Sequence, residues 1–183
     1  MDELLDIIDT NGNPTGTTAL KSKAHRLGLF HATVHIWFYT KNGDVLLQQR
    51  AQNKDTYPLL WDVSVAGHVG SGETVALSAI REIKEEIGLT VREANLEKIG
   101  VFKSMQKHHD TLIDNEFHHT FLSELKVTLQ ALEKQENEVT DLKLLSISEF
   151  EKELFTSNIQ YRNYVPHSSA YYKTVIATIK TKL

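Results

Sequence analysis

The stretch from Val75 to Ile87 limits this chain most, because apolar residues and glutamates share one helical repeat there. At ~100° per residue, Ala76, Ile80, Ile83 and Ile87 fall within about 60° of one another and form a stripe that has to be buried. Glu82, Glu85 and Glu86 occupy an adjoining arc of about 100°, with Arg81 beside them. Gly88 stands where a left-handed residue ends a helix. Such a helix needs an apolar surface under one side. On the next side, like charges three and four residues apart destabilise it by a few tenths of a kcal/mol per pair. A hard cation such as Mg²⁺ offsets that repulsion, since it takes oxygen ligands and bridges carboxylates to phosphates. A solvated acidic face is the plain alternative.

Strands supply the surface. Ile7 to Asp9 run into Asn11-Gly12-Asn13-Pro14, a turn signal that predicts a β-hairpin. The β-branched and aromatic run Thr33 to Tyr39, the turn Asn42-Gly43 and the strand Val45 to Gln49 predict a second one. Trp61 to Val65 reads as a further strand, and a glycine-containing loop, Gly67 to Gly72, opens the helix. Strands are expected at Leu96 to Phe102, Glu116 to Leu125 and Leu142 to Ile147, with a helical region from near Ser148. Strands mixed with two or three helices predict an α/β sandwich with a mixed sheet. At 183 residues, 40% hydrophobic and without repeats or linkers, the chain is expected to form a single domain over residues 1–183. On a regular strand Trp37 and Phe38 point to opposite faces, so one packs in the core and the other lines a cleft. Trp61 is expected in the core. The apolar patch from Tyr161 to Tyr172 is an interface or an anchor for the last helix, which leaves monomer and homodimer open.

A net charge of −4 argues against a nucleic-acid surface, which carries a basic excess. There are no cysteines, so disulfides, zinc–thiolate sites and thiol nucleophiles are excluded. The acidic start without an apolar run, and the lack of any stretch near ~18 apolar residues, lead to an expectation of no membrane and a cytoplasmic location.

Five residues separate Gly67 from Glu73, seven separate Glu73 from Arg81, and Glu82, Ile83, Lys84, Glu85, Glu86, Ile87, Gly88 and Leu89 follow. This resembles the full Nudix box, Gly-x5-Glu-x7-Arg-Glu-U-x-Glu-Glu-x-Gly-U with U apolar, at every fixed position. The resemblance implies a Nudix-type α/β/α sandwich and a hydrolase acting on acid anhydrides with Mg²⁺ (or Mn²⁺). It makes Glu82, Glu85 and Glu86 metal ligands together with Gly67, whose backbone would turn sharply to aim its carbonyl at the metal. Glu73 pairs with Arg81 to tie down the loop. Water is activated by one of these glutamates or by a carboxylate outside the box, with Glu116 favoured; it and Asp114 share a strand face. The implied partner is a small diphosphate, a nucleoside diphosphate derivative or related X-linked diphosphate, which Arg50, Lys54 and His68 would hold.

His25, His31, Val34 to Phe38, Gln48-Gln49-Arg50-Ala51, Tyr57-Pro58, Gly67-His68 and Asp114-Asn115-Glu116 resemble the branch that includes isopentenyl diphosphate isomerase. In those isomerases the residues matching His25, His31, His68, Asp114 and Glu116 form a metal site, and a Cys moves a proton where Ala66 stands here. Alanine has no titratable group, so isomerisation is the alternative and hydrolysis the expectation. A metal or substrate role for His25, His31 and His68 stays open. His108, His109, His118, His119 and His167 read as ordinary surface or hydrogen-bonded histidines.

Overall fold

Among the described residues, 2–156 and 163–183 of the computed structural model, nine strands hydrogen-bond into one sheet. In chain order the elements are β1 (Leu4–Ile8), β2 (Pro14–Leu20), α1 (Lys21–Leu27), β3 (His31–Tyr39), β4 (Asp44–Arg50), β5 (Trp61–Asp62) and β6 (Val65–His68). Then come α2 (Val75–Ile87), β7 (Glu97–His109), β8 (Leu112–Glu124), β9 (Val139–Ser146), α3 (Ile147–Phe155) and α4 (Ser169–Lys180).

The hub is β3, buried throughout except at the partly covered Ala32. Its β-branched and aromatic residues suit a strand covered on both faces. It runs parallel to β8, from His31 opposite Glu116 to Tyr39 opposite Glu124. Along its other edge it runs antiparallel to β6, from Thr33 opposite His68 to Ile36 opposite Val65. Side chains alternate along it. Val34, Ile36 and Phe38 join Ala79, Ile83 and Ile87 of α2 on one face, while Trp37 and Tyr39 join Phe150 of α3 and Tyr172 and Ile176 of α4 on the other. The result is the expected α/β/α sandwich with a mixed sheet.

The face toward α3 and α4 changes character along its length. Its apolar end, with Trp37, Tyr39 and Leu122, lies under the two helices. At its other end the register brings His31 beside Glu116, Thr33 beside both His118 and His68, and His35 beside Ala66. One sheet face is therefore core at one end and polar site at the other.

Helix α2 has the expected bounds, because both stop signals are local. The Thr74 hydroxyl accepts from the Leu77 amide at 3.2 Å, and Gly88 ends the helix at φ 71°. Its buried side is rotated from expectation: Ile83 and Ile87 are fully covered along with Ala79, but Ala76 and Ile80 only partly, and Ser78, Glu82 and Glu86 are buried too.

Several expectations are corrected. β3 and β4 pair only at Tyr39 and Val45, because β6 takes the rest of that edge. Ser64 holds the fork, accepting from the Phe38 amide at 2.9 Å and donating to the Leu46 carbonyl at 2.5 Å. β7 and β8 form a hairpin of 13-residue strands, longer than expected because its far end alternates polar residues along an edge. Helix α1, which carries His25, was not expected. Trp37 and Phe38 are both fully buried, one on each side of the sheet, so neither lines a cleft. Trp61 is partly buried against the core, with Lys143 Nζ 4.1 Å above its ring. Of the patch from Tyr161 to Tyr172, Tyr161 lies outside the described residues, while Tyr164, Val165, Tyr171 and Tyr172 are buried. That part is internal packing.

Candidate active site

A cavity of about 950 Å³ opens between the polar end of the sheet face, α2 and the segment joining β4 to β5. Glu82 and Glu86, one helical turn apart, stand in its wall at 9% and 4% exposure, whereas Glu85 is exposed. Gly67 is not in a turn. It lies within β6, and a Cβ there would fall 2.0 Å from Cδ of Glu82. Its missing side chain is the space the Glu82 carboxylate fills, which corrects the expectation of a sharp bend. Glu86 Oε2 accepts from the Ala66 amide and the Gln48 side-chain amide, both at 3.2 Å.

Arg81 ties these parts together. It donates to Glu82 Oε1 at 2.7 Å, Glu85 Oε2 at 3.2 Å, Glu73 Oε2 at 3.0 Å and the His68 carbonyl at 3.1 Å. The Arg81 and Ser78 hydrogen bonds hold Glu73 below the usual carboxylate range. Burial pushes Glu82 up to about 7 despite Arg81. Burial, together with the Glu82 charge, pushes Glu86 up to about 8. Two buried carboxylates that protein groups leave undercompensated fit a hard divalent cation.

A second cluster lies in the same cavity. Ligand atoms of His25, His31, His68 and Glu116 all lie within 4.8 Å of one another. Nε2 of each of the three histidines is buried without a hydrogen-bond partner. Leaving such atoms unsatisfied costs on the order of 1–3 kcal/mol each, which a bound cation would remove. His31 Nδ1 is 2.9 Å from the Leu29 carbonyl; a hydrogen bond there puts the proton on Nδ1 and the lone pair on Nε2. Burial pushes His25 and His68 down, toward the neutral form that ligation needs. Burial opposes the charge of Glu116, yet His31, His118 and His68 hold it well below its ordinary range. Asp114 stands beside this cluster, 3.8 Å from His25 Nδ1 and hydrogen-bonded to His108 at 2.9 Å. Three imidazoles and a carboxylate suit a transition cation better than Mg²⁺. The structure thus places His68 and Glu116 together in this cluster and Glu82 and Glu86 in the same cavity, with Arg81 donating to both Glu82 and the His68 carbonyl.

Arg50 and Lys54 also line the cavity, but both are engaged. Arg50 donates to Asp62 at 3.1 Å and to the Thr56 carbonyl at 3.0 Å, and Lys54 is ion-paired with Glu138. Sequence reasoning missed Lys21 and Asp62, which carry no local signal, and named Gln48 only as part of the resemblance in Gln48-Gln49-Arg50-Ala51, without a site role. It set aside His118 and His167, which line the cavity with His35. The His35 and His118 rings stack at 4.1 Å, and burial holds His118 down at about 4.

Residues 29–167 match the family model for the NUDIX domain. Nudix hydrolase 3 of Arabidopsis thaliana is 34% identical over 167 residues, covering 89% of this chain; the chain spans only 22% of that protein's length. An uncharacterized Nudix hydrolase of Clostridium acetobutylicum is 32% identical over 203 residues and 97% of each chain. The isopentenyl-diphosphate Delta-isomerase of Serratia proteamaculans is 34% identical over 122 residues, 67% of this chain and 66% of that one. Among solved structures, DR0079 of Deinococcus radiodurans shares the fold with TM-score 0.70 at 18% identity over 98% of both chains. The NUDIX domain of Shewanella oneidensis NrtR, solved with ADP ribose, shares it with TM-score 0.56 at 13% identity, over 81% of this chain and 87% of that one. The chain belongs to the Nudix family, as an enzyme acting on pyrophosphate bonds, on the branch that also holds isopentenyl-diphosphate isomerases.

Proposed function

We propose that this enzyme hydrolyses a diphosphate linkage in a nucleoside diphosphate derivative or related X-linked diphosphate, with Mg²⁺ or Mn²⁺. The observation that carries this reading is the burial of Glu82 and Glu86 side by side in the cavity wall, with too little protein charge to neutralise them. Glu82, Glu85, Glu86 and the Gly67 carbonyl would hold the cation, which when bound supplies charge for the diphosphate oxygens and a more acidic water. Arg81 fixes the glutamates and Glu73 fixes Arg81. Arg50 and Lys54 hold the phosphates by exchanging part of their present ion pairs. His25, His31, His68 and Glu116 hold a second cation of softer preference, so Glu116 acts there as a ligand.

The lining favours a polar X group. Among the described residues around the charged ones, only Leu4, Ala66, Leu112 and Val165 offer aliphatic side chains, so an isoprenoid tail would meet mostly polar groups. ADP ribose, held by the NrtR domain, is a compound of the favoured kind. The histidine cluster favours a second reading, isomerisation of isopentenyl diphosphate, against which Ala66 stands with no proton to move.

The test is Mg²⁺-dependent release of phosphate-containing product, screened across nucleoside di- and triphosphates, dinucleotides, nucleotide sugars and isopentenyl diphosphate, with Glu86→Gln as control. Release that the control abolishes is the expected result. Isomerisation of isopentenyl diphosphate without any release would overturn the hydrolase reading.

A further inference from the structure

Hydrolysis leaves one proton without an acceptor. On the proposed reading Glu82, Glu85 and Glu86 would hold a cation and Glu116 would serve the imidazoles, which leaves the proton of an attacking water to a neighbouring group. Gln48 on β4 and Asp62 on β5 are cross-strand partners, and such pairs hold their side chains about 5 Å apart on one face. Gln48 reaches Glu86 at 3.2 Å, while Asp62 reaches His167 Nε2 at 2.9 Å. Asp62, 3% exposed, also accepts from Arg50 and from the Val63 amide at 2.8 Å. Burial opposes its charge, yet His167 and Arg50 hold it well below the usual carboxylate range.

An ionised carboxylate only accepts, so Nε2 of His167 carries its hydrogen and Nδ1 carries the lone pair. Among the described residues, Asp62 is the hydrogen-bond partner of this ring, and the ring lines the cavity. It stands edge-on to His35 at 5.2 Å. His35 is the cross-strand neighbour of Ala66, whose amide donates to Glu86. The dyad and the carboxylate wall therefore line one and the same cavity.

We propose that His167 is the proton acceptor for hydrolysis in this cavity, with Asp62 as the residue that positions it; this rests on the hydrolase reading. The water oxygen bonds to phosphorus as its proton passes to His167 Nδ1. The bridging P–O bond breaks and its electron pair leaves on the departing phosphate. The imidazolium, held by Asp62, then returns its proton to solvent. Facing this ring are Asp62 on β5, itself paired with Arg50 on β4, His35 on β3, His118 on β8 and Tyr171 and Tyr172 on α4.

The experiment compares wild type, His167→Ala, His167→Gln and Asp62→Asn in Mg²⁺-dependent release at a fixed pH. Each is run with and without added imidazole. We expect kcat of the His167 variants to fall ~10²–10⁴-fold with KM little changed. Imidazole should partly restore His167→Ala. Asp62→Asn, whose amide favours the wrong tautomer, should lose turnover without that restoration. Wild-type turnover in His167→Gln overturns the proposal, as does a loss in His167→Ala that imidazole does not restore. Absence of release by the wild type sinks the hydrolase reading itself, an outcome distinct from a failure confined to His167.

Discussion

Gly67→Ala would set a methyl carbon 2.0 Å from Cδ and 2.5 Å from Cγ of Glu82. Atoms do not approach so closely, so either Glu82 swings out or β6 moves, and β6 carries the Ala66 amide that donates to Glu86. We expect turnover to fall ~10-fold or more and half-saturating Mg²⁺ to rise in a metal titration, since a ligand carboxylate is displaced. Unchanged Mg²⁺ dependence would show that Glu82 does not bind the cation in the position seen. The box residues were legible because their spacing is covalent, and a helix turns a fixed spacing into a fixed face. His118, His167 and Asp62 were not. Each lies in an unremarkable local stretch and gains its surroundings only when β3, β5, β8 and the segment before α4 meet.

At the scale of the element, α2 was legible to the residue because Thr74 and Gly88 mark its ends locally. Gly88 combines φ 71° with a tight approach, a Cβ there falling 2.8 Å from Cβ of Glu133. Gly88→Ala should cost about 1–2 kcal/mol from the left-handed backbone alone, read by urea denaturation. Turnover of the folded fraction should stay near wild type, because Gly88 touches no cavity group. A midpoint equal to wild type would mean the helix end relaxes freely. The rotation of the buried side of α2 was illegible for an instructive reason. A polar-out rule assigns Glu82 and Glu86 to water, yet the site draws them inward. The partial pairing of β3 with β4 was equally hidden, since it depends on which distant strand claims an edge.

Over the whole molecule, the two raised carboxylates set a pH dependence. A group whose folded pKa lies above its unfolded one stabilises the protein below the unfolded value and loses that contribution as pH climbs through the folded value. With Glu82 near 7 and Glu86 near 8, the metal-free protein should melt at progressively lower temperature as pH rises from the ordinary glutamate value of about 4.5 to about 8, and level off above that. Histidines held below their ordinary value, such as His25 and His68, add stability as pH rises through the lower part of that window, and His31, held above its ordinary value, loses some, so the comparison with a Glu86 variant isolates the carboxylate part. Mg²⁺ should restore more melting temperature at the upper end than at the lower, and Glu86→Gln should flatten the metal-free slope. A flat wild-type profile would mean these carboxylates are already compensated.

The parallel pairing of β3 with β8 also fixes when the site comes into being. Thr33 and His118 touch across a separation of 85 residues, and His31 pairs with Glu116 across the same separation. Closing so long a loop is a late and entropically costly contact in folding. The nascent chain can gather His25, His31 and His68 through α1, β3 and β6, but it lacks Glu116 until β8 pairs with β3, so a cation held by all four ligands reports a finished sheet.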